Sequence, residues 1–235
     1  TLKKLNASRK NSDGLVFVAG TGAGKSFAYY FPLLLWILNK KIRRYEELKK
    51  EGKLQPANLF VGCSFLLIFP RNSLANDQND ELVELIEIIN NFIKQYYKND
   101  TVKCNFLQIQ KPLCDHRYGN VSNVKKDYDV KHDIIITNPE ALENRLANPD
   151  CHNVYTNGID AILYDEVHLW SGIEGAEIAA LNARLQNLFA INGKPPLFIG
   201  MSATIDRPEI HCKKLFALNK QQTVEIAEKK GIENT

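Results

Sequence analysis

Ala19-Gly20-Thr21-Gly22-Ala23-Gly24-Lys25-Ser26 is the stretch on which the reading of this chain turns. It lies between a short apolar run, Leu15–Ala19, and a helical pattern, Ser26–Lys41. The stretch follows the pattern G-x-x-x-x-G-K-[ST], with Ala19 in place of the first glycine. Glycines let successive backbone N–H groups turn toward an anion, and the start of the following helix adds positive potential. Lys25 would supply a point charge for β- and γ-phosphates, and the Ser26 hydroxyl is expected to ligate Mg²⁺. Gly20, Thr21, Gly22, Ala23, Gly24, Lys25 and Ser26 are therefore the expected nucleotide-phosphate site. The plainer alternative is an ordinary glycine-rich strand-to-helix turn.

Outward from this turn, apolar runs alternate with helical patterns. Ser64–Phe69, Val102–Ile109, Asp133–Thr137, Ile159–Tyr164, Leu197–Met201 and Thr223–Ala227 join Leu15–Ala19 as predicted strands. They are short and rich in β-branched or aromatic residues, and most are apolar on both faces, which suits a parallel sheet covered by helices. Ser73–Tyr97 places Leu82, Leu85, Ile86, Ile89 and Ile93 at helical spacing, and Gly175–Ile191 does the same with Ile178, Leu181, Leu185 and Leu188. Glu140–Ala147 and Pro208–Ala217 read as shorter helices. Lys40–Lys53 reads as a charged helical extension at the surface, and Lys111–Lys131 as a long polar loop. The alternation predicts an α/β fold with a mostly parallel sheet of about seven strands, built as one domain over residues 1–235.

A nucleotide hydrolase needs a second signal, a carboxylate at a neighbouring strand end. The apolar strand Ala161-Ile162-Leu163-Tyr164 runs into Asp165-Glu166-Val167-His168. Asp165 is the candidate for holding Mg²⁺, directly or through water, and Glu166 for polarising the attacking water. Alone, such a pair is commonly a solvated strand end.

Composition excludes little. The chain has 235 residues, 44% of them hydrophobic and 24% charged, and a formal net charge of +3. That balance supports a core and excludes wholesale disorder. The charge neither announces nor excludes a nucleic acid. The longest apolar run, Phe31 to Leu38, is too short to cross a bilayer. The five cysteines, at 63, 104, 114, 151 and 212, have no C-x-x-C pair, so a reducing, cytoplasmic protein is expected. Cys114 and His116 with Cys151 and His152 are a weak alternative as a metal site.

With these residues in view, the chain resembles the first RecA-like lobe of a superfamily 2 helicase over nearly its full length. Ala19–Ser26 resembles motif I in its A-x-T-G-x-G-K form, which accounts for Ala19. Phe69–Gln78 is similar to motif Ia, although Asn72 stands where threonine is usual and Gln78 comes one residue late. Thr137-Asn138-Pro139-Glu140-Ala141-Leu142 resembles motif Ib, Asp165–His168 motif II in its DExH form, and Ser202-Ala203-Thr204 motif III. Thr137–Pro139, Asp165–His168, Ser171–Ala179 and Ala183–Leu185 are further similar to the MrfA-type DEVH helicases, which include bacterial DNA-repair helicases and those of anti-phage systems such as DISARM and Druantia.

The resemblance implies a lobe that binds ATP and Mg²⁺ against a second RecA-like lobe, and that moves on single-stranded nucleic acid, DNA being favoured. It implies contacts to the strand from Arg71, Asn72, Ser73, Thr137 and Asn138, and coupling of hydrolysis to movement through His168, Ser202, Ala203 and Thr204. Ser202 and Thr204 could instead cap the helix before Pro208. Trp36 reads as core, Trp170 is left open, and Lys125-Lys126, Lys40-Lys41 and Arg43-Arg44 read as solvated faces. No arginine-finger pattern follows Thr204 and no glutamine precedes Lys25, so residues 1–235 are expected to be part of a longer two-lobe helicase, nearly inactive alone. Two alternatives stay open: a motor lobe for another cargo, of restriction or protein-translocase type, and a nucleotide-binding module without turnover.

Overall fold

The computed structural model describes residues 13–18, 25–55, 65–117, 132–149, 159–192 and 195–228; for 25–28 and 191–192 it describes the backbone alone. The elements are β1 (Gly14–Val18), α1 (Lys25–Lys50), β2 (Phe65–Ile68), α2 (Asn72–Tyr96), α3 (Thr101–Leu107), β3 (Leu113–Cys114), β4 (Ile134–Thr137), α4 (Pro139–Leu146), β5 (Ala161–Tyr164), α5 (Gly172–Asn192), β6 (Leu197–Ser202), α6 (Pro208–Leu215) and β7 (Val224–Glu228). Single 3₁₀ turns follow β3 at Asp115–Arg117 and β5 at Val167–Leu169.

The seven strands form one sheet in the order β3-β4-β2-β5-β6-β1-β7. Every pairing is parallel. The period-2 alternation of each strand divides its side chains between two cores. Leu15, Phe65, Leu67, Ile134, Ile136, Leu163 and Ile199 pack under α1 and α2. Val16, Leu66, Ile68, Ile135, Ile162, Tyr164 and Phe198 pack under α4, α5 and α6. Both faces being covered, the strands read as continuous apolar runs.

One expected strand is a helix. Val102, Cys104 and Phe106 alternate as a strand would, but the Asp100 carboxylate accepts from Lys103 N at 2.9 Å and caps α3. Cys104, Phe106 and Leu107 then bury beside Tyr45 and Ile93, while Val102 stays exposed. The seventh strand is Leu113–Cys114 instead, inside the stretch read as loop, and it pairs with Ile135–Ile136 at the sheet's edge.

Lys40 and Lys41 also depart from expectation. Lys41 is buried, bridges Asp133 at 2.9 Å and donates to Gln108 O, and Lys40 bridges Asp160 at 2.8 Å. Asp133 and Asp160 immediately precede β4 and β5, so α1 pins the sheet's N-terminal edge with these ion pairs. Arg43 is exposed as expected. Trp36 is in the core, with its ring edge-on to Phe65.

Candidate nucleotide and strand-binding edge

The described candidates follow the C-terminal ends of four strands: Arg71–Ser73 after β2, Thr137 and Asn138 at β4, Asp165–His168 after β5 and Ser202–Thr204 at β6. Gly20, Thr21, Gly22, Ala23 and Gly24 lie outside the described residues. Their flanks are described: β1 ends at Val18 and α1 begins at Lys25, while the side chains of Lys25 and Ser26 are not described. Val18 pairs with Ser202 at the end of β6, and Tyr164 at the end of β5 pairs with Gly200. One strand, β6, therefore separates β1 from β5, which places their ends about 10 Å apart at ordinary strand spacing.

Asp165 remains tied to the sheet, its N–H donating to Ile68 O at 3.0 Å. Its Oδ1 accepts from Glu166 N at 2.9 Å. Glu166 sits at φ 50°, ψ 47°, a left-handed conformation costing a non-glycine residue about 1–3 kcal/mol. That kink turns the chain sharply just after Asp165. Trp170, left open by the sequence, holds it: the ring is buried, donates Nε1–H to Asp165 O at 3.0 Å and meets Tyr164 edge-on. Gly175 lets α5 approach, since a Cβ there would lie 2.6 Å from Trp170 O.

His168 Nδ1 lies 3.1 Å from Ser202 Oγ and 3.3 Å from Glu166 Oε2. Ser202 donates its hydroxyl to Thr204 O at 3.1 Å, so its oxygen is left to accept from a His168 Nδ1–H tautomer. Glu166 Oε2 is buried with no hydrogen bond among the described residues. Ser202 and Thr204 do not cap α6, whose N-cap is Arg207 without a side-chain cap bond. Ala203 is half-buried between them.

The predicted strand contacts divide. Arg71, Asn72 and Ser73 are exposed at the start of α2. Asn138 caps α4 by accepting from Ala141 N at 2.7 Å, and donates Nδ2 to Asn72 Oδ1 at 2.6 Å. Thr137 does not face outward: it is fully buried, its hydroxyl donating to Asp115 Oδ2 at 3.1 Å. Asp115 Oδ1 in turn holds Arg145 Nε of α4 at 3.0 Å, both side chains buried. The Thr137 side chain therefore supports this edge from beneath.

Sequence reading missed the 3₁₀ turn after β3. His116 Nε2 and Arg117 Nε both reach Asn76 Oδ1, at 3.0 and 2.9 Å, and set Arg117 beside α2. Burial pushes the His116 imidazole below its ordinary range. On the α4 side a groove of about 400 Å³ is lined by Pro70, Pro139 and Trp170, with Glu140, Glu143, Glu174 and Glu177 around it. Those carboxylates disfavour phosphates in the groove, which Asn138 also lines, while Arg71, Asn72 and Arg117 lie outside its lining.

The donor set fits a magnesium nucleotide. Mg²⁺ takes hard oxygen ligands, few of them from protein, and Asp165 with Glu166 presents carboxylates at the expected strand end. Among the described residues no cluster of His, Cys, Asp and Glu could hold a metal by itself, and Cys151 and His152 lie outside them.

Comparison with known proteins agrees with this geometry. The DEAD/DEAH box helicase family matches residues 4–211. The chain is 26% identical over 203 residues to the uncharacterized ATP-dependent helicase YprA of Bacillus subtilis, covering 85% of this chain and 22% of that protein. It is 25% identical over 214 residues to the ATP-dependent helicase hrq1 of Schizosaccharomyces pombe, covering 89% and 16%. The chain thus spans about a fifth of the curated relatives it matches. Its fold is similar to the DUF1998 helicase MrfA bound to DNA and AMPPNP, with TM-score 0.65, 21% identity, and 98% of this chain on 27% of that one. It is equally similar to the Mycobacterium smegmatis helicase Lhr bound to ssDNA and AMP-PNP, with TM-score 0.65, 20% identity and coverages of 96% and 25%. A parallel sheet with paired carboxylates after β5, one strand removed from β1, is consistent with the family match over residues 4–211, which shows that this chain belongs to the DEAD/DEAH box helicases.

Proposed function

We propose that this chain is the ATP-binding lobe of a superfamily 2 motor that couples ATP hydrolysis to movement on single-stranded DNA, in repair or anti-phage defence. The observation that carries the reading is the cluster Asp165, Glu166, His168 and Ser202 at the ends of β5 and β6, of which β6 lies next to the strand that leads into 19–26. Gly20, Thr21, Gly22, Ala23 and Gly24 would wrap the phosphates with backbone N–H groups, and Lys25 would pair with their charge. Ser26 and Asp165 would hold Mg²⁺, which supplies charge neutralisation at the phosphates when bound. Glu166 would accept a hydrogen bond from the attacking water and orient it. A second RecA-like lobe of the same protein would close the site and bring an arginine, worth about 10³–10⁵ in rate.

Arg71, Asn72, Ser73 and Asn138 would hold backbone phosphates without reading bases. DNA is favoured over RNA because the MrfA and Lhr structures bound to DNA are 21% and 20% identical, against 16% for the helicase Mss116 bound to ssRNA. The buried free thiols of Cys104, Cys114 and Cys212 fit a reducing cytoplasm, and no described helix is long and apolar enough to cross a membrane. Steady-state ATP hydrolysis by the full-length protein tests this, with single-stranded DNA, RNA or unfolded polypeptide added in turn. Stimulation by DNA is expected. Stimulation by polypeptide alone would transfer the chain to protein translocation, and no turnover at all would make it a binding module.

A further inference from the structure

The second turns of α1 and α2 are joined by a node that neither the phosphate site nor the strand contacts use. The hydroxyls of Tyr29 and Tyr30 both donate to Gln78 Oε1, at 3.0 and 2.8 Å. One amide oxygen has the two lone pairs this requires. Gln78 Nε2 donates to Glu81 Oε2 at 3.2 Å, which settles the amide's orientation. A flipped amide would aim its oxygen at a carboxylate. Tyr30 is fully buried and Tyr29 nearly so, and their rings pack at 4.4 Å between centroids.

The placement makes this more than packing. Tyr29 and Tyr30 stand one helical turn after Lys25 and Ser26. Gln78 stands on α2, two turns after Arg71 and Asn72. The two helices share the core cluster containing Tyr29, Tyr30, Leu33 and Leu34 from α1 and Ala75, Leu82 and Ile86 from α2. Burial first, then Tyr29, and to a smaller extent the charges of Asp165 and Glu81 hold the Tyr30 phenol well above the ordinary range. The apolar contacts would tolerate sliding of one helix on the other. The hydroxyl–amide bonds would not, because hydrogen bonds weaken steeply with misalignment.

We propose that Tyr29, Tyr30 and Gln78 are positioning residues that transmit strand contact at the start of α2 to the phosphate-binding start of α1, and so set how strongly nucleic acid stimulates ATP turnover. This rests on the motor function proposed above. Tyr→Phe keeps the rings and removes only the hydroxyls, and Gln78→Met keeps the volume and removes the acceptor.

The test is ATP hydrolysis by the full-length protein with and without single-stranded DNA, alongside DNA binding and thermal melting. Tyr29→Phe/Tyr30→Phe is expected to cut stimulated kcat about tenfold, within the usual range of couplings between sites, with basal kcat, KM for ATP and Kd for DNA within about twofold. Gln78→Met should do the same, and the triple variant should be no worse than either, because the three side chains act as a unit. Unchanged stimulation, additive losses in the triple variant, or a parallel fall of basal and stimulated rates with a lowered Tm would each overturn the coupling while leaving the motor function standing. A wild-type protein that DNA does not stimulate would overturn the motor function, and the coupling with it.

Discussion

Ser202 shows how one side chain can link two jobs. Its hydroxyl donates to Thr204 O and its oxygen faces His168 Nδ1, which is also 3.3 Å from Glu166 Oε2. A change in charge near Glu166 is thereby felt at the end of β6. Ser202→Ala removes the acceptor for His168 but leaves Asp165 and Glu166 in place. It is expected to leave ATP hydrolysis within about threefold and to slow strand displacement about tenfold, as for couplings between sites of this size; parallel ATPase and duplex-unwinding assays separate the two. His168, Ser202 and Glu166 were legible in the sequence because they stand at strand ends in a known order. Trp170 and Asp115 were not, because their roles depend on contacts made by the folded chain: Trp170 on a carbonyl at Asp165, Asp115 on Arg145, which no periodicity links to it.

At the scale of elements, α4 is fastened to the sheet by charge as well as by apolar packing. Arg145 and Asp115 are both buried, and Thr137 donates a further hydrogen bond to the carboxylate. Arg145→Met leaves Asp115 buried without its cation, a loss of about 3–5 kcal/mol. Thermal melting is expected to show a Tm lowered by about 10 °C, given the usual entropy of unfolding for a domain of this size. Arg145→Met/Asp115→Asn should recover much of that loss. The strands apolar on both faces and the long helices were legible because burial imposes their patterns. The exchange of an expected strand for α3 came from weighing the Val102, Cys104 and Phe106 alternation above the Asp100 cap. Leu113–Cys114, two residues long, carries no periodic signal at all.

For the whole molecule, burial of acidic hydrogens dictates an alkaline limit to stability. Burial pushes the Cys212 thiol from 9.0 up to about 12, and raises Cys114, Tyr30 and Tyr164 as well. Each group keeps its proton in the folded state after the unfolded chain would have lost it. The folded state therefore binds more protons above pH 9, and stability falls as pH rises from about 9 toward 12. Denaturant unfolding at a series of pH values should give a midpoint that is flat from these groups below about pH 8 and declines above 9. At this scale the sequence was most informative, since motif order identifies the family and the arrangement of the sheet follows from it. The long-range ion pairs from Lys40 and Lys41 were hidden, because a lysine on a charged helix looks the same whether its partner is water or Asp133.

On the function proposed above, the turn after β5 performs hydrolysis for the phosphate loop. The direct measurement is ATP turnover and nucleotide affinity of Glu166→Gln in the full-length protein with single-stranded DNA. If Glu166 orients the attacking water as proposed, its loss is expected to lower kcat by at least about 10², while the affinity for ATP stays within about threefold of wild type, as for a group that acts only in the transition state. A Glu166→Gln protein that hydrolyses ATP at the wild-type rate would contradict the claim.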